Sequence, residues 1–188
     1  MILENIKTRE GFREWLKDNS KLEKECWLRV NRSKTQLDDV VLYLDAVEEA
    51  LCFGWIDSTL KKFDDGPAFQ RFTPRKKNSN WTELNKERVR RLEKLGLMTD
   101  EGRKVLPDMR EASFEISKEI LEELKKDDDV WGNFQKLPKL YIRVRISNIQ
   151  SYQKRKEFDT ARKQLDKFIE NTKLGKIYGE WNDKGRLL

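Results

Sequence analysis

The hydrophobic period of the chain changes at Gly54, and this change limits the fold more than any other feature of the sequence. Before it, residues 44–53 place apolar side chains at helical spacing. After it, two runs with a two-residue period flank the turn sequence DDGP, which is typical of a β-hairpin over residues 55–75. A helix that leads through a glycine into a hairpin indicates an α+β fold.

The register of this hairpin decides which side chains share a face. With residues 65–67 as the loop, Leu60 lies opposite Phe72, and Ile56 joins the same apolar face. We prefer this register because it gives one apolar face and sets Asp57 across from Arg75; a slip of one residue would reverse every side chain. The opposite, polar face then collects Trp55, Asp57, Thr59, Arg71, Thr73 and Arg75.

Two regions follow from the distribution of helix and strand signals. Residues 1–100 are predicted to form an α+β region, in which a small antiparallel sheet packs with helices. Residues 101–188 carry no strand signal and are predicted to be all-helical. The predicted elements are helices at 7–20, 44–53, 79–95, 111–127 and 158–175, further helices before and after Pro138, and a strand at 26–32.

The net charge of +6 is concentrated in one segment. Residues 71–94 contain nine Lys or Arg against three Glu, which equals the excess of the whole chain. A local basic field attracts phosphates, carboxylates or the nucleic acid backbone. The alternative is an ordinary solvent-facing helix surface.

The composition excludes several kinds of chemistry. The chain has no histidine, so a Ser-His-Asp or Cys-His triad cannot form. Neither a P-loop nor a dinucleotide-binding glycine motif occurs, and we expect no cofactor and no metal site. Cys26 and Cys52 fit neither a disulfide framework nor a zinc pattern, and Cys52 falls on an apolar helix stripe, where we expect packing rather than chemistry.

Nothing in the sequence predicts a membrane segment. The first twelve residues lack the apolar run of a signal peptide, and no stretch approaches the roughly 20 apolar residues that a membrane helix needs. We therefore expect a cytoplasmic protein without membrane contact. The sequence does not fix its oligomeric state.

The strongest site prediction is an anion pocket where the hairpin ends and helix 79–95 begins. Ser79 or Asn80 is predicted to cap this helix, whose free N–H groups favour anions. Arg75 would clamp the ligand because its planar guanidinium suits carboxylate and phosphate. The predicted supporting residues are Lys76 and Ser79 as polar contacts, Trp55 and Trp81 as walls, and Asp57 as the group that holds Arg75.

Several segments resemble the YdeI/OmpD-associated family, whose name records a link to bacteriocin protection. They are EEALCFGWIDS (48–58), RFTPRKKNSNWTELN (71–85), GLMTDEG (96–102) and, in the second half, FQKLPKLYIRVRISNI (134–149). The resemblance implies a cytoplasmic bacterial protein with an α+β half and a helical half, and it implies no particular reaction. The positions that match the family's motif with chemically useful side chains are Trp55, Asp57, Arg75, Ser79, Trp81 and Asn85.

The favoured hypothesis is a non-catalytic module that binds a small anion. One alternative is a histidine-free enzyme that uses Asp57 as a general base or Cys52 as a nucleophile, although an aspartate beside an arginine makes a poor base near neutral pH. Another is nucleic acid binding through residues 71–94. A fourth is a protein-interaction role for the helical second half.

Overall fold

A computed structural model describes residues 1–33, 37, 39–63, 65–77 and 79–188. This part of the chain forms two compact units. Unit 1 comprises residues 1–80 and 88–107, and unit 2 comprises residues 81–87 and 108–188. The first residue of the DDGP turn, Asp64, lies outside the described residues.

Unit 1 contains a mixed sheet of five strands, in the order β1-β2-β5-β4, with β3 also paired to β2. The strands are β1 (Ile2–Leu3), β2 (Cys26–Asn31), β3 (Val41–Leu42), β4 (Trp55–Lys62) and β5 (Ala68–Pro74). The predicted hairpin is present, as β4 and β5 pair antiparallel. The prediction of a purely antiparallel sheet is wrong, because β1 and β3 pair parallel with β2. Both are two residues long, too short to show a period.

Eight helices occur in the described residues. They are α1 (Arg9–Asn19), α2 (Tyr43–Cys52), α3 (Glu83–Lys94), α4 (Asp100–Arg103), α5 (Lys118–Leu124), α6 (Asp128–Phe134), α7 (Lys139–Lys154) and α8 (Phe158–Lys173). The helical second half is therefore confirmed, and so is the α+β class. The helix predicted over 111–127 is shorter than expected, because only a 3-10 turn and α5 form there. No helix in the described ranges combines the length and apolar character needed to cross a membrane.

The core of unit 1 lies between the sheet and helices α1 and α2. Phe12 of α1 packs against Phe72 of β5 with ring centroids 5.3 Å apart. Trp15 meets Trp55 edge to face at 5.8 Å. These contacts bury one face of the sheet under α1, which is why the apolar stripe of that helix points inward.

A network of ion pairs fastens α2 to its neighbouring helices. Glu48 and Glu49 of α2 have side chains only 1% and 2% exposed. Arg9 of α1 donates to Glu49 at 2.6 Å and to Glu48 at 2.9 Å, and Arg13 donates to the second oxygen of Glu49 at 2.6 Å. Arg91, in the part of α3 that belongs to unit 1, donates to Glu48 at 3.0 Å.

These pairs compensate for burying charge. Burial alone would lower the pKa of Arg9, but Glu49, Glu48 and Asp45 outweigh it, so the pKa is raised. A buried carboxylate persists only where cations and hydrogen bonds satisfy it. The two glutamates of α2 are therefore fixed in place by three arginines.

Unit 2 has a separate aromatic and aliphatic core. Tyr141 lies at its centre, in contact with the rings of Phe168, Tyr178 and Trp181 at 5.6–6.3 Å. The buried members of this core are Ile120, Leu124, Val130, Phe134, Tyr141, Ile146, Ile149, Leu165 and Phe168.

We predict that Glu49→Gln lowers the free energy of unfolding by about 3 kcal/mol, because it leaves Arg9 and Arg13 beside a neutral amide; breaking a buried ion pair costs about 3–5 kcal/mol. Urea denaturation measures this change. The control is Glu14→Gln, an exposed residue of α1 that lies 3.8 Å from Lys17, for which a loss below about 1 kcal/mol is expected. Equal losses in the two variants would contradict the role assigned to the network.

Candidate functional site

The register of the hairpin differs from the predicted one. Asp57 pairs with Phe72, and Leu60 pairs with Gln70. Between these two pairs, β4 has two residues where β5 has one, which is a β-bulge. The predicted pairings of Asp57 with Arg75 and of Leu60 with Phe72 are therefore wrong. An alternating pattern carries no sign of an inserted residue, so the sequence did not reveal the bulge.

The bulge and the register reverse the face on which Asp57 lies. Residues directly opposite each other in an antiparallel pair point to the same side, so Asp57 shares the side of Phe72 that α1 covers. Trp55 lies on that side too, 1% exposed, and its indole N–H donates to the carbonyl of Ser20 at 3.2 Å. The placement of Trp55 on a polar, ligand-facing side is wrong; it is a core residue.

The same reversal turns Ile56 away from Phe72, because Ile56 pairs with Thr73, and Ile56 is only partly buried. Leu60 pairs with Gln70 and so stays on the side of Phe72, but it is 48% exposed and not buried as predicted. Phe72 is buried as predicted, and Thr73 is partly buried. The hairpin therefore has one apolar face, but it is the face that carries Asp57.

A connected polar cluster lies on the covered face, and we call it the Tyr43 patch: Arg32, Tyr43, Asp57 and Gln70. The Tyr43 hydroxyl donates to Asp57 Oδ2 at 2.7 Å. The Arg32 guanidinium lies over the Tyr43 ring, 3.8 Å from its centroid, and donates to Gln70 Oε1 at 2.6 Å. Gln70 is fully buried, Tyr43 and Asp57 are partly buried, and Arg32 is exposed. The patch thus runs from the interior to the surface.

Three of the four groups of the patch lie at the end or the irregularity of an element. Arg32 follows the last residue of β2, and Tyr43 is the first residue of α2. Asp57 directly precedes the bulge in β4. Bulges are frequent beside functional sites because they redirect side chains. The ion pairs that hold α2 also hold Tyr43 at its start.

The electrostatics of the patch are set by burial and by three arginines. Burial raises the pKa of Tyr43 to about 12, and the Asp57 carboxylate adds to the rise, whereas Arg32 and Arg88 oppose it. Tyr43 is therefore a protonated donor at neutral pH. Burial lowers the pKa of Arg75 to about 10, and the attraction of Asp57 offsets only part of this effect.

Arg75 contacts Ser79, one of the residues that the sequence grouped with it, but it is buried and not a surface clamp. Its residue exposure is 7%, and its Nη1 donates to Ser79 Oγ and to the carbonyl of Asn80, both at 3.1 Å. Its backbone N–H donates to the carbonyl of Gly54 at 2.8 Å, which extends the hairpin by one residue. Lys76 is exposed. Ser79 therefore supports Arg75 instead of capping a helix.

The helix predicted over 79–95 starts four residues later than predicted, because α3 begins at Glu83. Two of its first N–H groups have acceptors: Asn85 N donates to Thr82 Oγ1, and Glu83 N donates to Ser147 Oγ, each at 3.2 Å. A helix end whose donors are satisfied by side chains has less to offer an anion. Trp81, which is 9% exposed, belongs to unit 2 together with Asn85.

Arg32, Tyr43 and Gln70 were missed by the sequence prediction, and Arg88 was counted only within the basic segment 71–94. The side chains of the Tyr43 patch meet through contacts 11 to 38 residues apart along the chain, and no local pattern marks such contacts. The one usable signal was position, since Arg32 and Tyr43 stand where a predicted strand ends and a predicted helix begins.

Cys26 and Cys52 are free and buried thiols. Burial raises the pKa of each to about 12, so neither is a thiolate near neutral pH. The carbonyl of Cys52 accepts from both the N–H and the hydroxyl of Thr99. Across the described ranges, no three or more acidic or cysteine side chains are grouped to hold a metal ion.

A family model described as a domain of unknown function (DUF8412) matches residues 4–105, more than half of the chain. The match spans nearly all of unit 1 and includes the whole Tyr43 patch. No curated protein and no solved structure matches the chain.

We predict that Tyr43→Phe lowers the free energy of unfolding by about 1.5 kcal/mol near neutral pH, because it removes a donor from a charged acceptor; such bonds are worth about 1.5–3 kcal/mol. Chemical denaturation measures the change. Tyr152→Phe is the matched control, since the Tyr152 ring packs under Arg155 in α7 of unit 2.

The same pair of proteins tests the protonation of Tyr43. Because its folded pKa of about 12 lies above the unfolded value of about 10, its contribution is fully present below pH 10 and is lost as pH rises toward 12. The stability difference between wild type and Tyr43→Phe should therefore shrink over that interval. A difference that stays constant or grows would contradict a protonated Tyr43 donor.

Proposed function

The chain belongs to the DUF8412 family, and we propose that it binds a small anion, a phosphate or carboxylate, at the Tyr43 patch. The observation that carries this proposal is the exposed Arg32 guanidinium, which lies 3.8 Å from the centroid of the Tyr43 ring and donates to Gln70 Oε1 at 2.6 Å. The buried Arg75 guanidinium supports it, because burial lowers the pKa of Arg75 to about 10 and the attraction of Asp57 offsets this only in part. Folding has moved a cation into a site that disfavours its charge. An anion bound nearby would favour that charge, and the same attraction would stabilise the complex.

Arg32 is the residue that would contact the ligand directly. It is exposed, and its guanidinium is held flat on the Tyr43 ring while Gln70 accepts one of its five N–H donors. A pre-oriented planar fork binds carboxylate and phosphate oxygens in pairs. Stacking on an aromatic face is worth about 0.5–2 kcal/mol and reduces the entropy lost on binding.

Arg75 and Arg88 would act at longer range. Arg88, like Arg32, lowers the pKa of Tyr43. Arg75 is attracted by Asp57, the aspartate that accepts from the Tyr43 hydroxyl. The positive potential of these groups would draw an anion toward the exposed end of the patch at Arg32. Lys76 would add charge at the surface, and Ser79 would keep Arg75 oriented through their hydrogen bond.

The nucleic acid alternative has weaker support. Within the basic segment 71–94, Arg71 pairs with Glu25, Lys86 pairs with Glu83, and Arg91 pairs with Glu48. In each of these pairs a glutamate neutralises a cation that would be needed to contact phosphate. The segment is therefore less basic in its surroundings than its composition indicates.

The enzymatic alternative also has weaker support. Asp57 would be its general base, yet Asp57 Oδ2 accepts the Tyr43 hydroxyl in a short bond. A base must reach a substrate proton within hydrogen-bond distance. Cys52 and Cys26 do not supply a nucleophile, because both thiols are buried and protonated.

The resemblance to YdeI/OmpD-associated proteins belongs to the proposal as well, and it would connect anion binding to bacteriocin protection.

We predict that phosphate or a small carboxylate stabilises the wild-type chain against unfolding, by about 2.7 kcal/mol at a hundredfold excess over the dissociation constant. Arg32→Ala should lose most of this stabilisation, because the exposed guanidinium supplies the directional contact. Thermal unfolding with phosphate, sulfate, acetate and nucleotides, at constant ionic strength, measures the effect.

The matched control is Arg29→Ala, which removes the same charge at another exposed position, within β2 and three residues before Arg32. It should respond to anions like wild type. If both variants lose the anion stabilisation equally, the effect is general charge attraction. If anions do not stabilise wild type, the proposed function is overturned. Short oligonucleotides whose binding survives Arg32→Ala but falls with Arg90→Ala would favour the nucleic acid alternative.

A further inference from the structure

Phe158 is an exposed aromatic residue at the first position of α8. It is 64% exposed, whereas the other phenylalanines of unit 2 are buried or partly buried. A single exposed phenylalanine does not by itself indicate a binding surface, since single apolar residues are common on surfaces. The residues around Phe158 distinguish it from such a case.

Phe158 borders a groove between α5 and α8, with a volume of about 240 Å³. The apolar part of the groove consists of Ile120, Ala161 and Leu165. An apolar cavity of about 150 Å³ accommodates benzene, so this groove has room for one phenyl ring. The surface therefore combines a protruding phenyl ring with an opening that fits another.

The rim of the groove carries both signs of charge. Glu119 and Glu123 line it on the α5 side, and Arg162 lines it on the α8 side. Within the chain, Arg162 lies 3.6 Å from Glu123 and 2.9 Å from Asp166. These residues are partly or largely exposed, so their intrachain pairs are worth little and can be exchanged for contacts with another surface.

We propose that a second copy of this chain covers the groove, in a twofold-symmetric dimer. The Phe158 ring of each copy enters the groove of the other, and Arg162 of each copy meets Glu119 of its partner. A twofold interface uses the same patch on both subunits, so that patch must be complementary to itself.

Self-complementarity is the reason to choose a second copy over an unrelated partner. An unrelated protein needs only a groove to fill or a ring to cover. Here one small surface holds both the ring and the groove, and both the acids and the base. With a twofold axis at the edge of the groove, each ring enters a groove and each arginine meets a glutamate, because every contact is made twice.

Analytical ultracentrifugation of the full chain over a wide concentration range tests the proposal. Wild type should shift reversibly from monomer to dimer. Phe158→Ser should raise the dissociation constant at least about a hundredfold, since each copy loses about one tenfold factor, or 1.4 kcal/mol, and the loss occurs twice. Leu174→Ser is the matched control: Leu174 follows the other end of α8 and is 66% exposed, and its variant should dimerise like wild type.

Charge reversal identifies the twofold arrangement. Glu119→Arg alone and Arg162→Glu alone should each weaken self-association, because both place like charges opposite each other. An equimolar mixture of the two variants should associate more tightly than either alone, since every contact in the mixed dimer joins opposite charges. A wild-type chain that stays monomeric throughout, or a mixture no tighter than its components, would overturn the proposal. Circular dichroism of each variant confirms that the changed association does not come from unfolding.

Discussion

The buried carboxylates of α2 are the constraint on which the rest of unit 1 depends. Glu48 and Glu49 lie inside the fold, and arginines from α1 and α3 pair with them and compensate for the burial of their charge. The ion pairs fix the position of α2 along the sheet. They thereby fix Tyr43, its first residue, over Asp57 of β4.

The Tyr43 patch follows from this arrangement. A polar side chain on a covered sheet face needs a hydrogen-bond partner. Asp57 accepts from the Tyr43 hydroxyl, and Gln70 accepts from the Arg32 guanidinium. Since Arg32 also rests on the Tyr43 ring, the four groups form one unit that reaches the surface at Arg32. This exposed and oriented cation, with Arg75 buried in the same unit, is the basis of the proposed anion site.

Local patterns in the sequence predicted the elements well. The helix 44–53, the change of period at Gly54 and the hairpin agree with the structure, because helical periodicity, alternation and a turn motif depend on neighbouring residues. The same patterns misplaced Trp55 and Asp57, since a bulge leaves no trace in an alternating sequence. They also gave no hint of buried Glu48 and Glu49, whose arginines lie 36 to 43 residues away. The sequence placed its candidate site between the hairpin and helix 79–95, whereas the structure groups Asp57 of the hairpin with Arg32, Tyr43 and Gln70.

Anion binding at the Tyr43 patch is tested most directly by a crystal structure of the protein from crystals grown with selenate, whose position is given by the anomalous signal of selenium. We predict an anion within hydrogen-bond distance of Arg32, beside the Tyr43 ring, with the Tyr43–Asp57 bond retained. An anion bound at the start of α3, with the Tyr43 patch empty at the same concentration, would contradict it.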